Sequence, residues 1–519
     1  MNTEDTVVIG IDLGTTNSLV AFIKDGDPRI IPNERGDRMT PSVVFFKEDG
    51  QIIVGEMAKS QAVLNSDRTI SEVKLSMGRD TTYTIGSATY SAADISGLIL
   101  KKLKENAERY LDHPVRDAVI TVPAYFDDRQ REDTLKAASL AGLNVFRLLN
   151  EPTAAALTYG LGQTAGAHLL VIDLGGGTLD ITLMAYQNNI FRVLGVGGST
   201  AIGGTDFDHK IVDYIQSEFQ ATHGFDLRQD KIALQQLVIQ AEKAKIDLSS
   251  SPETHVMIPY ITVTDKGPVH LNQSLTRPVF EQLIAGILEQ ISQHIRNTFD
   301  QAGLTPDWVD TVILVGGSTR VQAIETLIKT ILDNPEPPTE AENDISGDLS
   351  GRSVIRRAIN PDEAVARGAG ILAGILSGSM TGIEFHDITP HDLGIEDDQG
   401  QFINILPRGT AYPAEASRLF TTTEDFQEAV YIHVLQQVGM ATEQRPVSLG
   451  WFGLKTDKTR RKSESNIDVS FAIDANGLLR VSALDIDNGD HKEITITNTD
   501  ITGMASGSPD HPADVQLRE

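Results

Sequence analysis

One short pattern occurs twice in this chain. An apolar run over residues 7–11 ends in Asp12 and the turn Leu13-Gly14-Thr15-Thr16-Asn17-Ser18. A second run over 169–172 ends in Asp173 and the turn Leu174-Gly175-Gly176-Gly177-Thr178-Leu179-Asp180. Each turn opens into another apolar run, so the grammar is that of a hairpin and not of a strand entering a helix. A hairpin repeated about 160 residues later predicts two pseudo-equivalent subdomains that close on one ligand. Backbone N–H groups of such turns bind anions, so two facing turns suit an oligophosphate. Asp12 and Asp173 then fall where Mg²⁺ and its waters bridge phosphates.

The remaining composition narrows the choices. The 519 residues carry 44 Lys+Arg against 72 Asp+Glu, a formal charge of −28. That excess repels nucleic acid and anionic lipid. With no Cys, disulfides, Cys-ligated zinc and thiol nucleophiles are excluded. The acidic opening lacks the positive charge of a leader, and no apolar run reaches the ~18 residues of a membrane span. A soluble, cytoplasmic protein is expected.

Apolar runs alternate with helical-period stretches (91–110, 127–141, 207–220, 229–248, 277–299) over residues 1–378, which predicts an α/β domain. A short linker is expected over 379–387. Period-2 patterns over 388–500 predict an all-β sandwich, with Asn476-Gly477 as a two-residue hairpin signal. A disordered tail is expected over 501–519. The stretch 333–350 has six acidic residues and three Pro, and reads as a solvated excursion or an acidic docking loop.

No Gly-Lys dipeptide occurs, so a P-loop is excluded; Gly-x-Ser-x-Gly and His-Glu-x-x-His are also absent. Gly368-x-Gly370-x-x-Ala373 lies in a helical pattern, where close helix packing explains it better than dinucleotide binding. A third glycine turn, Gly316-Gly317-Ser318-Thr319-Arg320, would let a flat ring approach the backbone, with Arg320 able to stack on it. Glu242, Lys245 and Ser249 share one helix face, which on spacing alone fits a solvated, salt-bridged surface better than a nucleoside site.

The segments 12–18, 173–180, 150–156 (Asn-Glu-Pro-Thr-Ala-Ala-Ala), 315–320 and 360–366 (Asn-Pro-Asp-Glu-Ala-Val-Ala) closely resemble the 70-kilodalton heat-shock chaperones of the DnaK type. The resemblance runs from Thr6 to about Thr499. It implies an actin-like ATPase fold followed by a peptide-binding β-sandwich, with ATP/ADP and Mg²⁺ as cofactors. Asp12, Gly14, Thr15, Thr16, Asn17, Gly175, Gly176, Gly177, Gly203 and Gly204 would surround the phosphates and metal. Lys74, Glu151, Asp173 and Thr178 would carry hydrolysis. Glu242, Lys245, Ser249, Gly316, Gly317, Ser318, Arg320 and Asp362 would surround adenosine, reversing the bland reading of that helix face.

Pro123 and Arg131 resemble the interdomain switch. Arg147, Asn150 and Thr153 resemble the docking patch for J-domain co-chaperones, and 256–270 resembles the lobe that binds bacterial exchange factors. Leu393, Ile395, Phe420, Val430, Ile432 and Ile473 match the peptide groove, although Phe420 and Ile473 serve equally as sandwich core. Unfolded or extended peptide segments are the expected clients.

Departures from the family are also legible. The sequence ends soon after Thr499, where the family continues into a helical lid, so fast peptide escape is expected. The linker 380–387 has few apolar side chains, which predicts weak docking on the ATPase domain. Asp398 and Thr423 stand where the family has apolar residues around the groove, and Thr205 replaces an acid. Two rivals follow: a nucleotide-sensing module for one dedicated partner, and a small-molecule kinase, against which the β-sandwich argues.

Overall fold

A computed structural model describes residues 7–160, 166–264, 267–333, 354–357, 360–380, 384–438, 445–495 and 515–517. The acidic stretch at 334–350 lies outside them. In the first sheet, β1 (Val8–Asp12) and β2 (Asn17–Lys24) form the antiparallel hairpin around the first turn, and β3 (Asp27–Ile31) pairs antiparallel with β2. β4 (Asp117–Val122) and β5 (Asn144–Asn150) continue in parallel from β1.

The second sheet repeats this order and polarity. The hairpin of β6 (Ala167–Leu174) and β7 (Leu179–Gln187) pairs antiparallel with β8 (Ile190–Ser199). β9 (Thr311–Val315) and β10 (Val354–Arg357) extend in parallel from β6. The duplicated sequence pattern is thus a duplicated topology.

Helices cover the sheets: α1 (Ala92–Leu111), α2 (Asp128–Leu140), α3 (Glu151–Gly160), α4 (Gly204–His223), α5 (Lys231–Ser250) and α6 (Ala364–Leu376). Capping boxes start α1 at Ser91 and α2 at Asp127, where side-chain oxygens take the free N–H groups of the first turn. α6 packs between the two sheets on glycine. A Cβ on Gly368 would lie 1.8 Å from the Ala154 carbonyl oxygen, and one on Gly10 would lie 2.1 Å from the Gly370 nitrogen. Helix contact therefore accounts for the Gly368-x-Gly370 spacing.

The segment expected to be a linker contains β11 (Glu384–His386), which pairs in parallel with β8 and so extends the second sheet. After it come two antiparallel sheets over one apolar core. One holds β12 (Asp392–Glu396), β13 (Phe402–Leu406), β15 (Ala429–Val438) and β16 (Arg445–Lys455). The other holds β14 (Ala414–Thr422), β17 (Ile467–Ile473), β18 (Leu479–Asp485), β19 (His491–Thr495) and β20 (Val515–Leu517).

Two expectations change. The Asn476-Gly477 hairpin exists, with Gly477 at φ 76°, but its ladder closes at Ile473–Leu479, which makes the loop longer than two residues. The extra length lets Asn476 reach the α/β domain: its side-chain oxygen accepts from the Leu148 N–H at 3.1 Å. The tail expected to be disordered contains β20, because Val515–Leu517 has alternating apolar residues and an edge strand, β14, to pair with.

Candidate functional site

The two Gly/Thr turns face each other across a cavity of about 350 Å³. Asp12, Gly14, Thr15, Thr16, Asn17, Lys74, Glu151, Asp173, Gly175, Gly176, Thr178, Glu242, Lys245, Gly316, Gly317, Ser318, Arg320 and Asp362 all line it. These are the residues singled out on the sequence, now brought together from strands, turns and helices far apart in the chain. Val315, Pro361 and Val365, from the motif segments 315–320 and 360–366, also line it, as do Leu19, Met39 and Ile246, which no motif signalled.

Gly177, Gly203, Gly204 and Ser249 stand behind the wall. The Gly204 N–H donates to the Gly175 carbonyl at 2.9 Å, and that of Thr205 donates to Gly176 at 2.8 Å, so the start of α4 braces the second turn. A Cβ on Gly203 would lie 2.4 Å from the Gly176 oxygen, which is why only glycine fits there. The Ser249 hydroxyl donates to the Lys245 carbonyl in its own helix.

At the floor, the Lys74 ammonium meets Glu151 at 2.5 Å, both side chains buried. Asp12, Asp173 and Asp180 are close enough to act on them. Burial and then Glu151 push Asp12 up to about 7, against the pull of Lys74 and the Thr121 hydroxyl. Burial and Glu151 also push Asp180 to about 7 and Asp173 well above the usual carboxylate range. Burial works to lower Lys74, but Glu151 and Asp12 hold it above its ordinary value.

Five carboxyl side chains line the pocket (Asp12, Glu151, Asp173, Glu242, Asp362) against three cationic ones (Lys74, Lys245, Arg320), and behind them one Asp180 oxygen lacks a partner. Such a floor suits a divalent cation. Among the described residues no group of three or more His, Cys, Asp or Glu is arranged to grip a metal directly. The donor set thus fits Mg²⁺ held through water and phosphate oxygens.

Contacts cross the cleft. Lys59 pairs with Glu242 at 3.2 Å, and the Thr205 hydroxyl donates to Glu72 at 3.2 Å. Lys245 bonds Asp208 at 2.8 Å and the Gly204 carbonyl at 3.0 Å, while Arg320 pairs with Asp362 at 2.7 Å.

A second set of residues lies where the β-sandwich seats on the α/β domain. Pro123 is buried in the turn after β4. Arg131 donates to the Asn150 side chain at 2.8 Å and to the Asn476 carbonyl at 3.4 Å. The Asn150 amide donates to the Tyr412 hydroxyl at 3.3 Å, and the Thr153 hydroxyl to Asp387 at 3.0 Å. Of the three residues expected to form a J-domain patch, Asn150 and Thr153 are thus engaged by the linker end and the sandwich, and Arg147 is half-buried beside them. Asp128, Tyr412, Asp387 and His391 join this seam; only their tertiary setting marks them. The segment 256–270, expected to resemble an exchange-factor-binding lobe, lies in the antiparallel hairpin Glu253–Thr264 and Gly267–Thr276, with Met257, Tyr260 and Val263 exposed.

Leu393, Ile395, Phe420, Val430, Ile432 and Ile473 all lie in the sandwich core, 5% exposed or less. Asp398 and Thr423 flank the ends of β12 and β14. No helix of the described residues is long and apolar enough to cross a membrane.

The duplicated sheets, the cleft between their turns and the appended β-sandwich agree with comparison to known families. The Hsp70 protein family model matches residues 8–506. The chain belongs to the Hsp70 family of ATP-binding, ATP-hydrolysing chaperones.

Proposed function

We propose that this protein couples slow ATP hydrolysis in an actin-like domain to the binding of short, apolar, extended peptide segments on its β-sandwich. One observation carries the coupling: Asn150 and Glu151 are neighbours at the β5–α3 junction. Glu151 holds Lys74 in the cleft, while Asn150 holds Arg131 and Tyr412 at the seam. Asp180, in the second turn, accepts from the Tyr125 N–H at 3.1 Å, and the Tyr125 ring packs on His391 of the sandwich. A change at the γ-phosphate is therefore one residue from the domain interface.

The turns around Thr15–Thr16 and Gly175–Thr178 hold the phosphates through N–H and hydroxyl groups. Bound Mg²⁺ supplies charge neutralisation across the phosphates. Lys74 and Glu151 position the attacking water, and Thr178 orients the phosphoryl group. Arg320, Asp362, Glu242 and Lys245 enclose the nucleoside. Arg147, Asn150 and Thr153 serve a J-domain co-chaperone once the sandwich has moved away, and the exposed hairpin serves an exchange factor.

The test is fluorescence anisotropy of a labelled Leu-rich peptide flanked by Lys/Arg, with ADP and then with ATP. Severalfold faster dissociation with ATP is expected. Equal binding in both would overturn the coupling. Indifference to such peptides with saturable binding to one native protein would favour the dedicated-partner module.

A further inference from the structure

The strand β20 is short, remote in sequence from its neighbours, and held on both sides. Phe420, Thr421 and Thr422 of β14 pair with Leu517, Gln516 and Val515. From the opposite wall, in the β12–β13 turn, the Asp398 N–H donates to the Val515 carbonyl at 3.0 Å. A segment gripped through its main chain from two walls occupies a channel and does not merely lengthen a sheet edge.

Its side chains alternate accordingly. Val515 is fully buried in the same cluster as Phe420, Val430, Ile432 and Ile473, and Leu517 packs against it, whereas Gln516 faces the other way, opposite Thr421. The hydroxyls of Thr421 and Thr422 and one Asp398 oxygen are buried there with no partner of their own. They leave the channel spare hydrogen-bonding capacity beside a polar middle residue.

From this we infer that Val515-Gln516-Leu517 is an intramolecular occupant of the peptide channel, with Val515 in its apolar pocket, which other extended segments must displace. The inference rests on the peptide-binding reading of the sandwich given above. A tethered segment commonly sees its site at an effective concentration of about 1 mM. With an intrinsic dissociation constant on the order of 0.1 mM, such a segment would weaken a competing peptide about tenfold. The channel would then select clients that beat a β-branched residue in its pocket.

Two measurements on the full chain separate the possibilities. The native sequence has no Cys, so Thr421→Cys with Gln516→Cys places a single pair at directly opposed positions. Mild oxidation or a short bismaleimide is expected to join them within one chain, read as a monomer of altered mobility on a non-reducing gel with loss of both free thiols. Failure to join, or joining only between chains, overturns the inference; the latter result makes a second copy the occupant.

The companion measurement is anisotropy of the labelled Leu-rich peptide on native protein, Val515→Asp and the cross-linked form. About tenfold tighter binding is expected for Val515→Asp, with binding lost on cross-linking. Equal affinity in all three overturns the inference. If the in-chain link forms and Val515→Asp binds no peptide, the segment's occupancy stands and the peptide-binding reading fails.

Discussion

Lys74 is an ammonium buried against Glu151, with Asp12, Asp173 and Asp180 near enough to shift or be shifted by it. On the proposed mechanism, removing it takes away the charge that orders water at the γ-phosphate, an effect on the order of 10²–10³ in turnover for preorganised groups. Lys74→Ala and Thr178→Ala are expected to lower single-turnover hydrolysis by at least about a hundredfold while ATP affinity changes only a few-fold. Unchanged turnover in both would refute the roles given to them. Lys74→Ala also strands Glu151 as an unpaired buried charge, which costs about 3–5 kcal/mol. Thermal melts should therefore show a larger loss without nucleotide than with Mg·ATP. At this scale the sequence was informative through motifs: Asp12, Thr15 and Thr178 sit in turns whose chemistry is local. Lys74 carries no such signal by itself, because its partner lies 77 positions away and only the fold brings them together.

Among the elements, β11 was the least expected. Its side chains suggested weak docking, but parallel pairing with β8 uses the backbone, which every residue but proline offers. The Glu384 N–H donates to the Asn189 carbonyl at 3.0 Å. Glu384→Pro, which deletes that donor, is expected to abolish ATP-stimulated peptide release, and Glu384→Ala to leave it within about twofold. Equal behaviour of the two would show that side chains and not pairing seat this segment. For α6, Gly368→Ala forces a methyl onto a backbone oxygen that cannot rotate away. A loss of about 1–3 kcal/mol is expected, seen as a lower midpoint of urea unfolding of the α/β domain. Helix positions were legible from hydrophobic period. The length of the Asn476-Gly477 loop was not, because Asn476 is committed to Leu148 and Arg131 in another domain.

The whole molecule depends on a seam that buries titratable groups of opposite type. Burial, then the Asp127 charge, pushes Asp128 up to about 7; burial, then Arg408, pushes His391 down to about 3. Both line the cavity under the sandwich, where Asp128 accepts from the Leu479 N–H. When the domains part, each regains water and moves toward its ordinary value of 3.8 or 6.5. Between about pH 4 and 6.5 docking thus binds a proton at Asp128 and excludes one at His391, and the two pH dependences oppose each other. Asp128→Asn leaves only the histidine, so docking should weaken as pH falls below about 6.5. His391→Gln leaves only the carboxylate, so docking should strengthen as pH falls from 7 toward 5. Interdomain energy transfer across this range reads both slopes; parallel slopes in the two variants would refute the pairing.

The sequence by itself determined the duplicated hairpins, the change from α/β to all-β texture and the glycine turns of the cleft, because turn chemistry and hydrophobic period are local properties of the chain. Lys74, Glu151, Glu242, Lys245 and Asp362 were marked only by resemblance to the family. The tertiary structure alone decided how the sandwich seats on Arg131 and Asn150, that β11 completes a sheet, and that Val515 fills the core between β14 and the Asp398 turn. Those are encounters between segments far apart in sequence. Their hydrogen bonds are largely main-chain or single-residue, and leave no periodic mark on the residues that make them.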